Sequence, residues 1–317
     1  MDFALRPVVA ADLPAVHALC RSIEIADGIA YASPLEEFQE WVRDPNLDLA
    51  ADTRVAEAGG ELVAWGRIWH RPSDEQEQRA FLIGGVSANN RGRGVGRALL
   101  GWQVARASER LRGSAGMLPR YVRVWAYDFQ ESAHRLFARF GLEPVRWGEE
   151  LLLDLSSTAA RPPDPEGVRI VAWDPARSEQ ARLAQNEAFR DHWGTPPLDA
   201  TVWAHDLTAH GNRPDLSFLA LDGDQVVGVC MNAHHPGDEA VTGRRDGWIG
   251  RVSVVRSHRG RGIASALLSA SHQAFRAAGF THAALGVDRD NPTGAYALYE
   301  RLGYRTLTRT IVRQLTV

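Results

Sequence analysis

Two stretches of this sequence combine residue types suited to holding a phosphate. In the first, Val86 and Ser87 lead through a short polar turn to Arg91, Gly92, Arg93, Gly94, Val95 and Gly96. In the second, Val254 leads to Arg259, Gly260, Arg261, Gly262, Ile263 and Ala264. An apolar run precedes each (81–86; 248–255), and a helix-forming stretch containing Ala-Leu-Leu follows each. Glycines let backbone N–H groups approach an anion closely, and a helix N-terminus adds partial positive charge, so a pyrophosphate is the natural guest. The side chains of Arg256, Arg259 and Arg261 bring charge to the same turn, though each suits a solvated surface equally well. The repetition points to a two-lobed binder of a phosphate-bearing cofactor. A dinucleotide loop of the Gly-x-Gly-x-x-Gly kind fails on detail: Leu99 stands where its last glycine would fall after Gly94 and Gly96, and the second copy keeps only Gly260 and Gly262.

Other chemistries are excluded by what the chain lacks. Its 36 basic residues are all arginine, which removes lysine Schiff bases, Walker-type lysines and lysine modification. Cys20 and Cys230 are too few for a disulfide framework or a structural zinc site and suit a reducing compartment. His234, His235, Asp238 and Glu239 match no standard metal spacing, so no metal is expected. Glu187 and Asp191, at i and i+4 on a helix, share a face that suits an incoming cationic amine; a solvated acidic face explains the same pattern.

The elements that must carry these residues repeat as well. At 317 residues with 44% hydrophobic content, two ordinary cores are expected. Net charge −3 gives no general attraction to nucleic acid or to an anionic membrane. With no basic, apolar leader at the start and no apolar run of ~18 residues, the chain reads as cytoplasmic and soluble. Residues 156–167, dense in proline and small residues, read as a linker between a lobe at 1–155 and a lobe at 168–317. Each lobe shows a short strand (3–9; 168–172), a helical segment, and a hairpin (54–58 with 62–69; 216–221 with 226–232). The cradle strand and helix follow, then another strand (121–126; 282–287), a further helix and a closing strand near Val145 or Thr306.

This order, with Arg-x-x-Gly-x-Gly/Ala after the fourth strand, resembles the GNAT superfamily of acyl-CoA-dependent N-acyltransferases. The run from Gly286 to Tyr304, with Asn291 ahead of Leu-Tyr-x-x-x-Gly-Tyr, is similar to the family's second signature, and Asn186-Glu-Ala-Phe-Arg-Asp-His-Trp193 is similar to the tandem, mycothiol synthase type of member. The resemblance implies an α/β (α+β) fold of two tandem lobes, each a mixed, mostly antiparallel sheet flanked by helices. It implies acetyl-CoA as cofactor, a small-molecule amine as acceptor and direct attack of the amine on the thioester. Val252, Ser253 and Val254 would pair with the pantetheine arm, and the turn from Arg259 to Ala264 would hold the pyrophosphate. Asn291 and Tyr296 would contact the cofactor, and Asn186, Asp191, His192 and Trp193 the acceptor. Tyr299 occupies the position whose hydroxyl protonates the leaving sulfur, a reasonable task for a phenol. Its spacing with Ala295 and Leu302 also fits plain core packing. Asp246 and Glu187 are the carboxylates placed to act as base. Phe137 stands at the tyrosine position of the first lobe, where no asparagine matches Asn291, so that lobe reads as non-catalytic although it keeps a cradle at Val86, Ser87 and Arg91 to Gly96. A non-catalytic acyl-CoA sensor is the alternative, because no base is obvious. The sequence does not specify the oligomeric state.

Overall fold

The computed structural model describes residues 2–71, 77–156, 165–190, 197–289 and 294–317. The first repeat runs β1 (Ala4–Arg6), α1 (Leu13–Asp27), α2 (Leu35–Val42), α3 (Leu49–Asp52), β2 (Thr53–Ala58), β3 (Glu61–Arg71), β4 (Gln78–Val86), α4 (Val95–Gly113), β5 (Arg120–Tyr127), α5 (Glu131–Arg139) and β6 (Glu143–Asp154). The second runs β7 (Val168–Ala172), α6 (Ser178–Phe189), α7 (Ala200–Leu207), β8 (Phe218–Asp222), β9 (Gln225–His234), α8 (Pro236–Thr242), β10 (Asp246–Val254), α9 (Ile263–Ala277), β11 (His282–Asp288), α10 (Ala295–Arg301) and β12 (Arg305–Thr316). The expected strand order recurs in both, but the first repeat has three helices ahead of its hairpin and the second inserts α8 between its hairpin and β10, neither of which the sequence reading placed. Glycines at positive φ turn the two hairpins, Gly59 and Gly60 in the first and Gly223 in the second. Of the expected linker, residues 157–164 lie outside the described part.

Two compact units form: Met1–Trp147 with Thr310–Val317, and Gly148–Arg309. Strands of the first follow the order β1-β2-β3-β4-β5-β12, those of the second β6-β11-β10-β9-β8-β7. The closing strand of each repeat therefore completes the other repeat's sheet: β6 pairs with β11 over Gly148–Asp154, and β12 pairs with β5 over Thr310–Thr316. Each sheet is antiparallel except for one parallel pair, β4 with β5 and β10 with β11.

Helices cover the sheets through apolar stripes. In the second unit α9 buries Ile263, Leu267, Leu268 and Phe275 against Leu219, Val227 and Val229, each such side chain worth about 1.5–3 kcal/mol. The approach is close enough to dictate sequence, since a Cβ on Gly247 of β10 would lie 2.6 Å from the Phe275 ring. In the first unit α4 buries Leu100, Ala107 and Leu111 with Ile68, Val122 and Val124. Among the described residues no helix is long and apolar enough to cross a membrane.

Candidate active site

The second unit opens where its parallel strands part. Pairing of β10 with β11 runs from Asp246↔His282 to Ile249↔Leu285. Beyond it, among the described residues, β10 continues to Val254 against β9 alone, and β11 continues against β6. The register of β10 on β9 slips between Ile249 and Arg251, a bulge at Gly250 that bends the strand away. Residues 250–254 thus turn one main-chain edge, Val252, Ser253 and Val254 included, to the opening, where an extended, amide-bearing ligand can add itself as a strand. In the first unit β4 and β5 part in the same way after Phe81↔Arg123, but β4 keeps an unbroken register on β3 to Val86.

At the end of β10 the chain turns through Arg259, Gly260, Arg261 and Gly262 into α9. Gly260 and Gly262 hold φ of +77° and +82°, and a Cβ on either would meet nothing within 4 Å. Backbone conformation, not crowding, requires glycine there, and the space before the turn is open. Gly262 is the N-cap of α9 and supplies no side chain, so the first helical amides at Ile263 and Ala264 keep their hydrogen-bonding capacity for a ligand. Gly92 and Gly94 repeat this geometry at φ +74° and +88°, with Gly94 the N-cap of α4.

The arginines of these turns serve the protein first. Arg259 Nε donates to Val254 O (3.3 Å) and its Nη2 to Ala188 O (2.8 Å), tying the turn to β10 and α6. Arg261 Nη2 donates to Glu166 O (2.8 Å). Arg91 likewise donates to Val86 O (3.0 Å) but pairs with Asp27 (2.6 Å), whose other oxygen accepts from Gln130 Nε2 (3.0 Å). Asp27 therefore joins the turn after β4 to the turn after β5, bridging the parted strand ends of the first unit. Ser87 Oγ accepts from Asn90 (2.8 Å).

Tyr299 sits on α10, 6% exposed, edge-on to Tyr304 with ring centroids 5.8 Å apart. Burial first, and the neighbouring Cys230 second, push its phenol above the usual range, so it keeps its proton at neutral pH. Its hydroxyl makes no hydrogen bond to a described residue. Tyr304 by contrast bonds His272 Nε2 at 2.7 Å; burial lowers His272 to about 4 and leaves it neutral. Phe137 holds the position corresponding to Tyr299 on α5 and packs near His134. Tyr296 directs its hydroxyl to Thr306 Oγ1 (3.4 Å), which in turn donates to the buried Glu149 (2.6 Å).

The carboxylates are dispersed. Asp246 begins β10, at the end away from the turn, held by Arg244 at 3.0 Å; the fold does not bring it to Tyr299. Glu187 lies at the turn end of β10, where one of its oxygens accepts the Arg256 amide (3.1 Å). Asn186 spends its amide on both main-chain groups of Leu198, at 2.9 Å each. Asn291, Asp191, His192 and Trp193 lie outside the described residues.

Between α6 and the bulge of β10, a cleft of about 230 Å³ is lined by Gln185, Asn186, Phe189, Arg190, Leu198, Gly250 and Arg251 among others. Gln185 is 3% exposed, and its Oε1 is buried without a partner among the described residues. Sequence reading passed over this residue. Its one signal is that a carboxamide interrupts the buried stripe Ala181, Ala184, Gln185, Ala188 of α6.

The acetyltransferase (GNAT) family model matches residues 18–142 and 179–304. Mycothiol acetyltransferase of Geodermatophilus obscurus is 30% identical over 93% of this chain and 91% of its own, and that of Thermobispora bispora 32% over 94% of each. Among solved structures, a GCN5-related N-acetyltransferase from Sphaerobacter thermophilus is 28% identical with a TM-score of 0.79, covering 99% of this chain and 95% of that one. A tandem GNAT protein from the clavulanic acid biosynthesis pathway, 17% identical, shares the fold at 0.74 over 99% and 98%.

Proposed function

Because the chain belongs to the acetyltransferase (GNAT) family, we propose that it carries the acetyl group of acetyl-CoA to the amine of a small molecule by direct attack, with the chemistry in the second repeat. One observation carries the reading: a bulged, parted β10 runs into a positive-φ glycine turn and a helix whose N-cap has no side chain, with a buried phenol on α10 that makes no hydrogen bond to a described residue. The open turn before Gly260 and Gly262 suits a pyrophosphate. Acetyl-CoA, when bound, supplies an activated acetyl thioester and a thiol leaving group.

The residues divide the work by chemistry. Amides from Gly260 to Ala264 hold the phosphates, with Arg259 and Arg261 bracing the turn. The free edge at Val252 and Val254 orients the amide-bearing arm, and a main-chain N–H there serves a developing oxyanion. Asn291 and Tyr296 would border the same ligand, and Asp191, His192 and Trp193 the acceptor. Tyr299 provides a proton that burial has kept in place, and Glu187 is the carboxylate best situated to take one from the amine. In the first repeat the missing bulge, Phe137 and the Asp27 bridge from Arg91 to Gln130 support a non-catalytic role. Relatives called mycothiol acetyltransferase point to a related acceptor. The engagement of Glu187 by Arg256 favours the second reading, a sensor that binds acyl-CoA without turnover.

Amine-dependent release of CoA thiol from acetyl-CoA, followed across an amine panel, separates the two; release with no amine in the panel would reject the transferase reading. Within that assay Glu187→Gln, which keeps an oxygen for the Arg256 amide, is expected to reduce turnover at neutral pH about tenfold. That is below the usual general-base contribution because part of the amine arrives already neutral. The deficit should narrow as pH rises. A deficit constant with pH would assign Glu187 to structure alone.

A further inference from the structure

Gln185 carries a buried carboxamide whose oxygen meets no hydrogen-bond partner among the described residues. Helix α6 places it among alanines on the face packed against β9 and β10. An amide oxygen left unpaired in a protein interior is destabilising, and such groups are rare enough that each calls for a role. Here the group lines the cleft that also contains the Gly250 bulge, next to the parted edge of β10. The remaining walls combine apolar surface from Phe189, Pro197 and Leu198 with two cations, Arg190 and Arg251. Arg251 is balanced there by Asp206 at 2.6 Å and lies over Trp203 at 5.7 Å. Charge offers little to a polycation.

We infer that Gln185 binds the acceptor, its carboxamide bonding the amine or an adjacent hydroxyl or amide of a small, otherwise uncharged primary amine as that amine lies in the cleft. The inference rests on the transferase reading for the identity of the cleft's guest. A carboxamide has one acceptor oxygen and two donor hydrogens, so it can orient an N–H and a neighbouring oxygen of one molecule together. It holds the amine without donating a proton to it, which leaves the nitrogen lone pair for attack.

The test uses the full chain saturated with CoA, which cannot transfer, titrated with glucosamine, glycinamide and spermidine while the melting temperature is followed. Glucosamine or glycinamide should stabilise the wild type, and in Gln185→Met the apparent affinity should weaken about tenfold, the value of one well-placed hydrogen bond. The shift due to CoA should be equal in the two proteins, and ligand-free Gln185→Met should melt no lower than wild type, since an unpaired amide has been removed. Gln185→Leu provides the same comparison if the methionine variant does not fold. Equal amine shifts in wild type and variant, no shift in wild type with either small amine, or a shift with spermidine alone would overturn the inference. Turnover with acetyl-CoA on the same samples keeps the two readings apart. Binding that depends on Gln185 without transfer defeats only the transferase reading, and transfer with an unchanged amine KM in Gln185→Met defeats only this one.

Discussion

Replacing Tyr299 with phenylalanine is expected to lower kcat by about 10² or more, because the proton it supplies is needed only as charge develops on the departing sulfur. Affinity for acetyl-CoA should hold, since the ring keeps its place against Tyr304. The fold should hold too: the lost hydroxyl makes no hydrogen bond to a described residue, so nothing is left unpaired by its removal. Burial raises the phenol's pKa in the folded state. The proton is therefore retained to higher pH than in an exposed tyrosine, and Tyr299 should set no alkaline limit on activity below pH about 10. The stabilising effect of that retention is fully present below the unfolded value and disappears only as pH rises through the folded one. Phe137→Tyr should create no second activity, because the first repeat has neither the bulge nor an open passage between Arg91 and Gln130. Steady-state rates of both variants and of the double variant decide this; undiminished turnover in Tyr299→Phe would remove the residue from the mechanism.

A second large effect is expected for Arg123→Met, and it concerns stability. Arg123 is 1% exposed on β5, where it donates to both oxygens of Glu77 (2.6 and 2.8 Å) and to Gln314 of β12 (2.8 Å). Removing one side of a buried pair strands the other charge, typically at a cost of about 3–5 kcal/mol. Arg79 still reaches Glu77 at 3.2 Å, which places the loss toward the lower end of that range. The Gln314 bond makes the arginine a fastener for the carboxy-terminal strand. Chemical denaturation should therefore show the unit Met1–Trp147 with Thr310–Val317 unfolding earlier, while Gly148–Arg309 is little changed. A variant as stable as wild type would show that the pair contributes no net stability.

The repeat, its element order and its turns were legible because local chemistry demands them. Glycines at φ +60° and +82° must turn the first hairpin, and alternation marked the strands within one to a few residues at most ends. The exchange of closing strands was not legible. Both β6 and β12 alternate in the same way, and alternation says which face is buried but nothing about which neighbour is chosen. The bulge escaped for a similar reason: Gly250 makes one, whereas Gly84 and Gly85 at the corresponding stretch of β4 do not. Asp246 looked close to the chemistry in sequence because it shares a strand with Val254, yet a nine-residue strand spans about 25–30 Å and puts its ends apart. Spacing left the arginines of the turns equally suited to a phosphate or to solvent, and it cannot reveal that carbonyls of Val254, Ala188 and Glu166 take one or two donors of each. Gln185 was hidden by its neighbours, since a single polar residue in a helix stripe carries no periodic signal.

The claim that turnover belongs to the second repeat is tested most directly by a matched pair of substitutions, Gly262→Val and Gly94→Val. Both glycines are N-caps without a side-chain bond, both have left-handed φ (+82° and +88°), and a Cβ on either meets open space. Each valine therefore adds the same backbone strain, roughly 1–2 kcal/mol, and places the same bulk before a cradle. Turnover of acetyl-CoA with the best amine of the panel, measured side by side, should be lost in Gly262→Val and largely kept in Gly94→Val. Turnover that survives in Gly262→Val and disappears in Gly94→Val would move the active site to the first repeat and contradict the account.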